Sequence, residues 1–162
     1  MIELLLASAL SELPPSQAVL LAYEMACNTG QLHLDANEAK IISRDAGATP
    51  YPFYHWGTPT RMTTIGLTNP KGTVIRIATY DPKYPQQMAK VCVVYSQKIT
   101  RKDAVRGFLA ATKGHEIWRD LDPARGNTPL VIDRPKEGYQ KRLQFLDDGW
   151  VMLETGLYKE PH

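Results

Sequence analysis

At Arg61 the apolar residues of this chain change their spacing. Before it they recur at every third or fourth position; after it they recur at every second. The first period lines one stripe of a helix and the second lines one face of a strand, so the switch commits the two parts of the chain to different structure. Residues 61–67 read as a strand, residues 68–72 as a Pro- and Gly-containing turn, and residues 73–80 as the antiparallel partner. Residues 88–96, which contain Val91, Cys92, Val93 and Val94, read as a third strand. A short strand is expected around 130–132. A hairpin of 139–146 against 150–158 follows, with Asp148-Gly149 as its tight-turn signal.

The helical part begins with Ser16, a good N-cap for a helix reaching about Asn28, with Val19, Leu20, Tyr23, Ala26 and Cys27 on one face. Asp35 and Glu38 have capping-box spacing for a second helix through Ala39, Ile42 and Ala46, stopped by Gly47. A further helix is expected after the third strand. Thr100 is its cap, Val105, Phe108, Leu109 and Thr112 its stripe, and Gly114 its end. Gly107 in its interior costs about 1 kcal/mol relative to alanine. Residues 115–127 read mostly as loop. The resulting order predicts an α+β domain: two N-terminal helices, a mainly antiparallel sheet of five to six strands, and one further helix on the same sheet. The alternating strand-helix series of a doubly wound nucleotide-binding fold is absent. Neither a repeat nor a linker divides the chain, so residues 16–162 form a single domain, with residues 1–15 as a leader or an N-terminal helix.

Composition narrows the function classes. With 162 residues, 43% of them apolar, the chain can close one core. Nineteen Lys and Arg against 17 Asp and Glu leave a formal charge of +2, which disfavours a nucleic-acid binder. No apolar run approaches the 18 or so residues of a spanning helix. The first ten residues support two readings. Leu4 to Leu10, with Ala7-Ser8-Ala9, has the look of a short export leader, although Glu3 stands where a positive charge is expected. Ile2, Leu5, Leu6, Ala9, Leu10 and Leu13 equally form an unbroken helical stripe ended by Pro14-Pro15. Cys27 and Cys92 both fall at apolar positions, 65 residues apart. A bridge between them would add roughly 3–4 kcal/mol if geometry allows it, and two buried thiols are the alternative. Their spacing does not suit a metal.

Motifs for catalysis are missing: there is no G-x-G-x-x-G, Walker loop, H-E-x-x-H or G-x-S-x-G. The four histidines, His33, His55, His115 and His162, are scattered. Pairing either cysteine with His55 or His115 would give a Cys-His nucleophile, but thiols at apolar positions inside regular elements are usually inert. Neither an enzyme, a metal nor a cofactor is therefore indicated. The best candidate for ligand binding is the stretch Tyr51, Phe53, Tyr54, His55 and Trp56, four aromatics and a histidine held between Pro50 and Pro59. Rigid amphipathic side chains on a stiff loop lose little entropy on binding. The competing reading makes them a plug over the open end of the core. A second candidate is the basic group Lys98, Arg101, Lys102 and Arg106, extended by Lys141 and Arg142 if these share its face. Such residues are also what the solvated side of an amphipathic element carries.

Taken together, these residues resemble a group of small exported two-cysteine α+β proteins of sphingomonad-type alphaproteobacteria. The resemblance is carried by Leu4 to Leu10, Pro14-Pro15, Tyr23 to Cys27, Ala46-Gly47, Cys92 and the helix from Thr100. It implies a periplasmic location and a Cys27–Cys92 disulfide, and it brings no catalytic residues. The expected function is binding of a protein or small molecule at the cell envelope. The alternative is a cytosolic inhibitor or antitoxin-like protein that keeps its N-terminal helix and has free thiols.

Overall fold

The computed structural model describes residues 12–28, 58–67, 70–110, 129–146 and 149–162. Helix α1, Pro15–Tyr23, runs into a wider turn of π-helix, Glu24–Asn28. Strands β1 (Arg61–Leu67), β2 (Thr73–Thr79) and β3 (Met88–Ser96) follow, then helix α2 (Arg101–Ala110). Strand β4 (Leu130–Arg134), a 3₁₀ turn at Pro135–Glu137, β5 (Tyr139–Phe145) and β6 (Val151–Tyr158) complete the order. This is the expected α+β class with an antiparallel sheet. The second N-terminal helix expected over 35–46 lies outside the described residues.

The six strands form one sheet in the order β1-β2-β3-β6-β5-β4, and every adjacent pair is antiparallel. Two hairpin-type units, β1-β2-β3 and β4-β5, therefore meet only through β6. Partners directly opposite each other share a face, so the register sorts the side chains. Ile75, Val94, Leu153 and Leu143 form one row on the face that meets the helices. From α1 and its extension, Val19, Ala22, Tyr23, Ala26 and Cys27 pack into this core, and α2 adds Ala104 and Phe108.

Cys27 and Cys92 are joined by a disulfide, with their Cα atoms 5.3 Å apart. It ties the turn after α1 to the centre of β3, and both residues are buried. Nearby, the Tyr23 hydroxyl donates to the Glu154 carbonyl at 3.2 Å and shares a 2.8 Å hydrogen bond with Thr155 Oγ1. Burial, the largest effect, holds this phenol protonated far above its ordinary range.

Three local expectations are corrected. Ser16 does not cap α1: Pro14 holds that position and Pro15 opens the helix, where its missing N–H is no loss. The Ser16 hydroxyl instead accepts the Thr100 N–H at 3.2 Å, linking the starts of the two helices. Of the stripe expected for α2, Phe108 is buried and Val105 packs against the core, but Leu109 is 37% exposed and Ala104 is buried in its stead; Thr112 and Gly114 lie outside the described residues. Gly107 is a packing residue, since a Cβ there would stand 2.4 Å from Leu20 Cδ2. Thr100 does cap α2, as expected. Its Oγ1 accepts the Asp103 N–H at 3.1 Å and donates to Asp103 Oδ2 at 2.9 Å.

Candidate functional site

The opposite face of the sheet carries the less ordinary chemistry. Across it runs the row Thr64, Arg76, Val93, Glu154, Arg142 and Val131, one residue from each strand. Glu154 lies in the middle and is only 1% exposed. Arg142 stands directly opposite it on β5, and Arg76 lies two strands away with Val93 between. A charge this far from water is retained only where nearby groups compensate its desolvation, and two guanidinium groups on its own row suit that role. Around the row a second apolar cluster forms from Ala78, Met88, Val91, Val93, Tyr95 and Met152, with Tyr80, Leu146, Trp150 and Tyr158 packed on its margin. Among the described residues, strands and turns alone supply this cluster.

The field of Glu154 reaches the neighbouring phenols. Burial first, and Glu154 second, push Tyr80 up to about 12. The same two causes raise Tyr95 further, with the Arg76 charge opposing them. The Arg76 guanidinium carbon lies 5.9 Å from the centre of the Tyr95 ring, within cation–π range. At the other margin the Tyr158 hydroxyl donates to Asp133 Oδ1 at 2.6 Å, and Gln140 Nε2 donates to that hydroxyl at 3.4 Å.

Where this face meets the β2–β3 connection, a pocket of about 260 Å³ opens. Thr58, Tyr80, Asp81, Pro82, Gln86, Gln87 and Met88 line it. Met88 reaches this side because the β3–β6 register slips between Met88 and Lys90, and one extra residue re-aims the side chain. Its thioether fills the space that Gly156 leaves; a Cβ on Gly156 would be 2.7 Å from Met88 Sδ. The loop wall is held in place from within and behind. Gln87 Oε1 accepts the N–H groups of Lys83 (2.7 Å) and Tyr84 (3.1 Å). Beyond β6, the backbone N–H of Lys159 donates to Gln87 O (2.9 Å) and that of Glu160 to Pro85 O (3.3 Å). The Lys159 ammonium donates to Pro82 O at 3.2 Å. The pocket is therefore shaped before any ligand arrives.

The aromatic candidates Tyr51, Phe53, Tyr54, His55 and Trp56 lie outside the described residues, as do His33 and His115. Lys98, Arg101, Lys102 and Arg106 gather at and before α2, but two are engaged there. The Arg101 guanidinium stacks 4.5 Å from the Phe145 ring centre, and Arg106 pairs with Asp103 at 2.8 Å. Lys141 and Arg142 do not extend the group together, because the pleat sends them to opposite faces. Lys141 is half-buried towards the helices, and burial lowers its ammonium, against the opposing pull of Glu24. The disulfide removes the Cys-His nucleophile reading, since neither sulfur is a thiol. Among the described residues no group of three or more His, Cys, Asp or Glu is placed to hold a metal, and no helix is long and apolar enough to cross a membrane.

Sequence patterning singles out neither Arg76, Glu154 nor Tyr80, and takes Arg142 for part of a basic patch, because charged and polar residues at alternate strand positions read as a solvated face. The signal was in β3. Val91 to Tyr95 are buried without interruption, and a run apolar at both phases marks a strand covered on both sides. No family model, curated protein or solved structure matches this chain.

Proposed function

We propose that this chain is a disulfide-stabilised binding domain that works in an oxidising compartment, at the cell envelope, and engages a small molecule or a protein. The Cys27–Cys92 crosslink is the observation that carries the reading. It is buried in the core, and structural bridges of this kind persist where thiols are not kept reduced. The preformed pocket beside Tyr80 supports binding. Thr58 in its wall stands two residues after Trp56 in sequence. In this reading Leu4 to Leu10 serve as an export leader.

Intact mass of protein isolated from its own cells, with alkylation before and after reduction, tests the proposal. A chain shortened by about the first nine residues, as cleavage after Ala7-Ser8-Ala9 requires, and resistant to alkylation until reduced, is the expected result. A full-length chain with two alkylatable thiols overturns it in favour of the cytosolic inhibitor reading. Replacing Tyr54, His55 and Trp56 by alanine tests the surface role. Thermal stability stays unchanged if they recognise a ligand, and collapses if they plug the core.

A further inference from the structure

Building on the binding role proposed above, we propose that the pocket beside Tyr80 takes a small organic cation, an alkylammonium group seated between the Tyr80 ring and the Asp81 carboxylate. Size comes first. At the ~30 Å³ that a water occupies in the liquid, the space holds roughly nine atoms heavier than hydrogen, which fits a short ammonium compound.

The wall then selects by charge. Among the described residues its single formal charge is the carboxylate of Asp81, and neither lysine nor arginine lines it. Asp81 is exposed and holds no ion pair among the described residues. Tyr80 brings an aromatic ring to the lining, and an aromatic ring attracts a cation more than an anion. Lys83 and Lys159 belong to the surrounding segments, but neither lines the pocket, and the Lys159 ammonium is bound to the Pro82 carbonyl. An anion would meet the Asp81 carboxylate. A neutral polyol would want convergent hydrogen-bonding groups, whereas the Gln87 amide oxygen is already turned into its own loop.

The test is a titration of the oxidised, isotopically labelled full chain, followed by amide chemical shifts, with choline, its neutral isostere 3,3-dimethyl-1-butanol, and inorganic phosphate. Choline is expected to shift the amides of Tyr80, Asp81, Gln86, Gln87 and Met88, binding about tenfold more tightly than the alcohol. Phosphate should leave them unmoved. Asp81→Asn, at an exposed site that does not threaten folding, should weaken choline by about fivefold and leave the alcohol unchanged. Equal binding of choline and the alcohol, or a preference for phosphate, overturns the cation while leaving a binding pocket. No shift with any of the three overturns the pocket itself, whereas the wider binding role is decided by the mass measurement and the Tyr54, His55 and Trp56 replacement.

Discussion

Gly107 lies on α2 where Leu20 of α1 packs, in the space that its missing side chain leaves. From sequence it is merely a weak helix former; only the crossing of α1 and α2 reveals why it is tolerated. Alanine there gains about 1 kcal/mol of helix propensity, but three Leu20 atoms would stand between 2.4 and 3.1 Å from the new Cβ. Gly107→Ala should therefore lower the urea midpoint, and adding Leu20→Ala should make the Gly107→Ala change favourable, a coupling that a double-mutant cycle measures. The tyrosines give a second prediction. Tyr80 is raised to about 12, and Tyr23, Tyr95 and Tyr158 further, with burial the leading cause in each. Such a phenol keeps its proton longer in the folded chain than in the unfolded one, where it ionises near pH 10. Its contribution is whole below about pH 10 and declines as pH rises towards its folded-state value. The urea midpoint should fall from pH 10 to 12, and absorbance at the phenolate band should rise together with unfolding. Glu154→Gln, which removes the second cause, should bring Tyr80 down part of the way.

At the level of elements, the strand boundaries were legible almost to the residue, because alternation and turn residues are local signals. Helix faces were less so. Phe108 and Leu109 are equally apolar, and the sheet beneath α2 decides that Phe108 turns inward. Ser16 looked like a cap by composition, yet Pro15 already supplies the helical φ and Ser16 is used across to Thr100. The Thr100 cap is a real one, so Thr100→Ala should cost about 1 kcal/mol in chemical denaturation. The disulfide closes a loop of 65 residues between the turn after α1 and the middle strand. Cys27→Ala/Cys92→Ala should lose roughly 3–4 kcal/mol, read as a lower urea midpoint against the oxidised chain. The same double variant should match the unsubstituted protein once that protein is reduced.

Over the whole molecule, the fold class followed from the order of periodicities, but the row of Arg76, Glu154 and Arg142 did not. Those three residues lie far apart in sequence, on β2, β6 and β5, and only the sheet order sets them on one line. That order has a consequence for how the chain comes into being. The strand that joins the two halves of the sheet, β6, is the one synthesised after the other five. Until it emerges, β3 lacks one neighbour, the β4-β5 hairpin has no sheet to enter, and Glu154 is not yet there to meet either arginine. Until then the β1-β2-β3 unit and the β4-β5 hairpin share no strand, and the unpaired edges of a nascent chain stay available to a chaperone, a protease or a translocation pore.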